Sequence, residues 1–207
     1  MPKVKYFTIW IAILIILVFA LQNVFPAITE GLILNKSAIY QPWRVVTAIF
    51  LHANLSHLIF NLFALVIFGF ILERLIGSKR FLLIFFVSGI LANVIAFNFY
   101  SSSLGASGAI MGIIGALAVI RPMMGVFAFG VILPMFIAAI IWVAVDAIGI
   151  FVPDNTGHIA HLSGIFVGIL FGIFLRKKHE ERKKRHNIEI PEHMLRRWES
   201  LYMGARD

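Results

Sequence analysis

Six apolar runs, at residues 6–25, 57–76, 81–100, 107–120, 126–150 and 158–175, restrict this chain before any single residue is considered. A helix rises about 1.5 Å per residue, so about 20 apolar residues cross the roughly 30 Å hydrocarbon core of a bilayer. The 207-residue sequence is 60% hydrophobic and 14% charged, with a mean hydropathy of +0.94. A soluble domain is about half apolar and a quarter charged. The runs predict an all-α membrane protein, a polytopic bundle of six transmembrane helices. The first run reads as a spanning helix rather than a leader, because it is too long and no small-x-small cleavage site follows it. Residues 26–56 are too mixed to span and predict a long loop with an interfacial element.

Charge sets the expected orientation. Lys3 and Lys5 precede the first run, Arg74, Lys79 and Arg80 separate the second and third, and Arg121 separates the fourth and fifth. Ten of the eighteen Lys and Arg follow residue 175. Only Lys36 and Arg44 fall on the other side, so both termini are expected to be cytoplasmic. Residues 1–176 form the expected membrane domain, and 177–207 a basic cytoplasmic tail. Such a tail suits membrane lipid, not nucleic acid, because no basic fold with interleaved aromatics accompanies it. Within the tail, Met194, Leu195, Trp198, Leu201 and Tyr202 recur at three- and four-residue spacing after Pro191, which predicts a short amphipathic helix. The chain has no cysteine, which excludes disulfides, thiol chemistry and cysteine-ligated metals.

Polar residues inside a bilayer are expensive and mark function. Their depth follows from counting residues to the basic anchor at the end of each helix. Ser107 is fourteen residues from Arg121 and His161 fifteen from Arg176, or roughly 21 and 22 Å. Asn61 and His57 are thirteen and seventeen from Arg74, or about 20 and 26 Å. The four share one layer, roughly 5 to 10 Å below the outer surface. This predicts a buried polar active site near the outer leaflet.

Ser107 begins a short fourth helix. Free N–H groups at a helix start favour developing negative charge, and Gly105 and Gly108 allow close approach of a substrate backbone. A serine nucleophile needs a base. His161 shares a helix face with Gly157, Gly164 and Gly168, a small-residue face that permits tight contact with Gly108 and Gly112 of the fourth helix. His161 is therefore preferred over His158, which turns toward Leu162 and Ile165. His57 and Asn61 are spaced i, i+4 and present donors on one face, suited to an oxyanion.

At these residues the sequence resembles the rhomboid family of intramembrane serine proteases. The matching pieces are GASG (105–108), HLIFN (57–61), AHLSGIFVG (160–168) and the loop pair WR (43–44). The resemblance implies a Ser107–His161 dyad, oxyanion donors at His57, Asn61 and the Ser107 N–H, transmembrane protein substrates, and neither cofactor nor metal. Met111 stands where the family often has an aromatic residue under the histidine. The alternatives are a non-catalytic relative that binds membrane clients, a transporter, and a metal cluster of His52, His57, His158 and His161. Among the remaining polar residues, His52 is expected to order the outer loop and Asn93 to bridge helices. Glu73 and Arg74 are expected to snorkel to the cytoplasmic surface. Asp146 is twenty-one residues beyond Gly125, about 31 Å along a continuous helix. That predicts a wet carboxylate roughly 10 Å above His161.

Overall fold

A computed structural model describes residues 3–128, 130–152, 154, 156–186 and 192–203. Four helical stretches are long and apolar enough to cross a membrane: α1 (Phe7–Val24), α2 (Leu55–Ile76), α3 (Ser78–Ala96) and His158–Arg176. Two shorter apolar helices, α4 (Ser107–Ile120) and α5 (Met135–Gly149), precede the last of these, which begins α6 (His158–His186). A final helix, α7, covers Glu192–Tyr202. By their contacts the residues fall into two units, Met1–Phe174 and Leu175–Asp207. In the second, Arg196 pairs with Glu192 at 3.7 Å, the Trp198 and Tyr202 rings lie 5.8 Å apart, and Leu195, Trp198 and Tyr202 are exposed.

The periodicity of each helix matches what it faces. In α1 the buried Thr8, Ile11, Ala12 and Ile15 form one stripe, while Trp10, Ile13, Leu14 and Leu17 are exposed. Large apolar side chains on an outward face suit lipid rather than water. By contrast α4 is buried continuously from Gly108 to Leu117. A helix that is apolar all round belongs in the middle of a bundle.

Glycines let the neighbours of α4 come to backbone distance. A Cβ on Gly164 would overlap the Gly108 carbonyl oxygen, and one on Gly168 the Gly112 carbonyl oxygen. A Cβ on Gly115 would likewise meet the Ile165 carbonyl oxygen of α6, and one on Gly112 the Ser88 hydroxyl of α3. The expected contact between the small-residue faces of α4 and α6 is thus present.

The loop before α2 is built from short pieces, including helical turns at Ala27–Leu32 and Arg44–Thr47. Arg44 is buried at their centre. It donates through Nη1 to the Glu30 and Ile33 carbonyl oxygens, both at 2.8 Å, and through Nε to Gln41 Oε1 at 2.6 Å. Asn93 of α3 donates to the Val45 carbonyl oxygen at 2.8 Å, so it tethers this loop rather than bridging two spanning helices. A two-residue antiparallel pair, β1 (Leu34–Asn35) with β2 (Ser102–Ser103), fastens the loop to the segment leading into α4.

Two further expectations are overturned here. The fifth run is not helical from its start. Gly125–Ala128 (β3) and Val131–Pro134 (β4) form an antiparallel hairpin, with Val126 opposite Leu133 and Phe127 opposite Ile132. The alternating, β-branched and aromatic sequence favours strand. Gly130, at φ 83°, supplies the turn, and Pro134 cannot donate an amide hydrogen to a preceding helical turn. The helix therefore begins only at Met135.

Glu73 also differs from expectation: it is fully buried instead of snorkelling. Its carboxylate accepts from Phe7 N and Thr8 N at 2.9 Å, from Thr8 Oγ1 at 2.8 Å, and from Ser78 Oγ. The unpaired N–H groups at the start of α1 need such acceptors, and the helix dipole favours an anion there.

Candidate active site

Ser107 opens α4. The first bond within this helix runs from Ile110 N to the Ala106 carbonyl oxygen at 3.0 Å, so the N–H groups of Ser107, Gly108 and Ala109 lie ahead of it. Gly105 has φ 122°, a conformation that only glycine adopts freely. Its N–H donates to the Ala48 carbonyl oxygen at 2.9 Å, which anchors the turn to the loop ordered by Arg44.

Gly105 is also closely covered by the histidine of α2. A Cβ there would lie 2.9 Å from His57 Nε2 and 3.9 Å from Ser107 Oγ. His57 and Ser107 thus face the same small space. Asn54 caps α2 by accepting from His57 N at 2.8 Å. The His57 Nδ1 accepts from Ala53 N at 3.4 Å, which leaves the ring proton on Nε2, the nitrogen turned to Gly105. Asn61, one turn on, is buried and donates through Nδ2 to the His57 carbonyl oxygen at 2.8 Å. An amide nitrogen has two hydrogens, so a second donor remains.

His52 lies outside the helix, buried, with its ring edge-on to His57 at 5.0 Å between centroids. The His52 backbone N–H donates to Gln22 Oε1 at 3.0 Å, and Gln22 Nε2 donates back to the His52 backbone carbonyl oxygen at 3.3 Å. Both bonds use the main chain of His52, so they tie the loop to α1 without its imidazole. Burial above all, and then the neighbouring His57 imidazole, lower its pKa to about 4.

A cavity of about 1370 Å³ is lined by Ser107, Gly105, His57, Asn61, Met111 and His161. All five residues singled out for the site therefore share one space. His158 and Asp146 line it too.

Asp146 is a correction. It is buried, and its Oδ1 accepts from His161 Nδ1 at 3.0 Å and from His158 Nδ1 at 2.7 Å. The late start of α5 explains the difference. Asp146 lies eleven residues beyond Met135, about 16 Å along the helix rather than 31 Å. Gly149, one turn on, makes room for the partner: a Cβ there would collide with the His158 ring. The second ring nitrogen of His158 is 3.2 Å from the Asp154 carboxylate. The Thr156 N–H, donating to Asp154 Oδ1 at 2.8 Å, is the main reason that carboxyl titrates below the usual range. The sequence signal for this cluster was D-x-x-G at 146–149 beside H-x-x-H at 158–161.

Asp146, His158 and His161 offer ligand atoms within 4.8 Å of one another. The 2.7 Å and 3.0 Å contacts are hydrogen-bond lengths, shorter than the separation of roughly 3.3 Å between ligands about 2.0 Å from a tetrahedral zinc. The geometry is that of hydrogen bonds to one carboxylate.

These features define a multi-pass helical membrane protein with a polar cavity among its helices. Comparison with known proteins is in accord: the rhomboid domain matches residues 40–178. The chain belongs to the rhomboid family. It is 39% identical over 131 residues to the rhomboid protease GluP of Bacillus subtilis, covering 60% of this chain but 25% of that protein. It is 34% identical over 144 residues to YdcA of the same organism, named for the same family, covering 68% and 70% respectively. It is 30% identical over 168 residues to RHOMBOID-like protein 1 of Arabidopsis thaliana, covering 78% of this chain and 41% of that one.

Proposed function

We propose that this protein is an intramembrane serine endopeptidase that cuts transmembrane protein substrates near their outer end. Ser107 is the nucleophile and His161 the general base. The observation that carries the reading is the convergence of Ser107, Gly105, His57, Asn61 and His161 on one cavity. Family membership and the rhomboid protease relatives support it.

The chemistry follows from the groups present. His161 takes the proton of Ser107 Oγ as the oxygen attacks the scissile carbonyl carbon. The carbonyl oxygen becomes an anion in the tetrahedral intermediate. His57 Nε2–H, an Asn61 N–H and the Ser107 backbone N–H are the donors proposed to receive it. His161 then protonates the leaving amine, and water hydrolyses the acyl-enzyme by the same steps in reverse.

In this reading α1 to α6 all contribute to the membrane domain, taken as residues 1–176, with α4 and α5 as its shorter members. Both termini are cytoplasmic and the cavity opens to the outer side. Residues 177–207 form the basic tail, with α7 lying on membrane lipid. No cofactor or metal enters the reaction.

The test is labelling of purified protein by a serine-directed fluorophosphonate, together with cleavage of a transmembrane substrate. Both signals should appear in the wild type and vanish in Ser107→Ala, and His161→Ala should abolish cleavage. A folded wild-type protein that binds substrate helices but is neither labelled nor active would instead be a client-binding relative.

A further inference from the structure

The mechanism above uses two side chains, yet a third faces the base. Asp146 is buried on α5, and two imidazole N–H groups meet its Oδ1. A buried carboxylate is tolerated where donors compensate its lost hydration. The donors here are His161 and His158, and His158 is itself held at its far nitrogen by Asp154.

We propose that Asp146 is a positioning residue for His161, so that the reaction runs on a Ser107–His161–Asp146 relay of contacts rather than on a dyad. This rests on the serine-protease reading of the same cavity. A carboxylate only accepts, so the 3.0 Å contact fixes the His161 proton on Nδ1. A neutral imidazole with its proton on Nδ1 has a bare Nε2. That nitrogen takes the proton of Ser107 Oγ while the oxygen's electron pair forms the bond to the carbonyl carbon. The imidazolium so formed stands beside the carboxylate, which stabilises it without taking its proton. When the C–N bond breaks, the proton passes from Nε2 to the amine nitrogen.

His158 acts one step further out. Its 2.7 Å bond occupies the same oxygen and fixes the carboxylate, and Gly149 gives its ring the space to do so. This division of labour explains why two histidines one helical turn apart both point at α5.

The experiment compares wild type with Asp146→Asn, Asp146→Ala and Asp146→Glu in a cleavage assay that separates kcat from KM. Removing the charge should lower kcat by about 10²- to 10⁴-fold, with KM within about threefold. Asp146→Glu, which restores a carboxylate, should recover at least about tenfold over Asp146→Asn. Folding is followed separately by the affinity of a substrate helix in the Ser107→Ala background, where Asp146→Asn should leave Kd unchanged. Retention of more than about a third of wild-type kcat in Asp146→Asn would overturn the proposal. A loss carried by Kd, or a Glu variant no better than Asn, would overturn it too. Cleavage by Ser107→Ala itself would refute the serine-protease reading instead, whatever Asp146 does.

Discussion

The α-hydrogen of Gly164 faces the carbonyl oxygen of Gly108, with no room between them for a methyl group. Three residues before Gly164 stands His161, and one residue before Gly108 stands Ser107. The two groups proposed to exchange a proton are thus held by a backbone-to-backbone contact. Gly164→Val should force α4 and α6 apart. Overpacking a tight contact typically costs about 1–3 kcal/mol, and a 1 Å displacement of catalytic groups can cost about 10²-fold in rate. The expected outcome is lower thermal stability and at least tenfold lower kcat. Gly157→Ala is the control, since its Cβ would meet only the Ala160 Cβ at 3.6 Å, an ordinary contact. Equal effects of the two substitutions would count against the role assigned to this contact.

Glu73 joins α1 to the turn between α2 and α3, and it lines no part of the cavity around Ser107. Glu73→Ala leaves buried N–H and hydroxyl groups without acceptors, each worth about 1–3 kcal/mol. The thermal midpoint in detergent should fall clearly, while kcat of the protein that remains folded should stay within about twofold. A large kcat loss at an unchanged midpoint would mean that this end of α1 communicates with the site.

How far the sequence carries depended on what kind of regularity each element has. The apolar period of α1, α2, α3 and α6 marked spanning helices, and the small-residue faces of α4 and α6 marked their contact. Counting along straight helices then placed Ser107, His161, His57 and Asn61 in one layer, and in the structure all four line one cavity. The same arithmetic failed for Asp146 because it assumed that helix begins where hydrophobicity begins. A hairpin and a helix can be equally apolar, and only Gly130 and Pro134 told them apart. Glu73 was misread for a related reason. An acidic residue near a helix end looks solvated until the start of another helix, unknowable from local sequence, is brought against it.

His52 makes the first unit sensitive to acid. Its pKa is near 6.5 in an unfolded chain and about 4 in the folded protein. As pH falls from 6.5 toward 4, the unfolded chain binds a proton that the folded protein refuses. The stability present above pH 6.5 is therefore lost across that window, by an amount on the order of 3 kcal/mol at most. Thermal midpoints measured at pH 7 and pH 4.5 should differ more for wild type than for His52→Gln. The same pH dependence in both would remove His52 as the cause.

The tail is expected to be dispensable for chemistry. Among the described residues, none after His161 lines the cavity. Truncation after Lys178 removes α7 and most of the basic residues, and should leave kcat within about threefold in detergent. In a synthetic peptide spanning 190–203, Arg196 and Arg197 balance Glu192 and Glu199, so vesicle binding that persists at high salt would show the surface role proposed for the apolar face of α7. Complete loss of cleavage in a folded truncated protein would place the tail in the mechanism.

Asn61 distinguishes transition-state binding from substrate binding. Its side chain is buried in the wall of the cavity one helical turn from His57, and one amide hydrogen is already committed to the His57 carbonyl oxygen. That internal bond fixes the amide plane, so the second hydrogen keeps a set direction. A donor so fixed serves an oxygen whose charge grows during the reaction better than it serves a neutral carbonyl. Asn61→Ala should therefore lower kcat by about 10- to 10³-fold with KM changed less than about threefold. Asn61→Asp should be no better, because a carboxylate has no hydrogen to give and repels the oxyanion. If either variant raised KM and left kcat intact, Asn61 would be a substrate-binding residue, and His57 with the Ser107 N–H would hold the oxyanion without it.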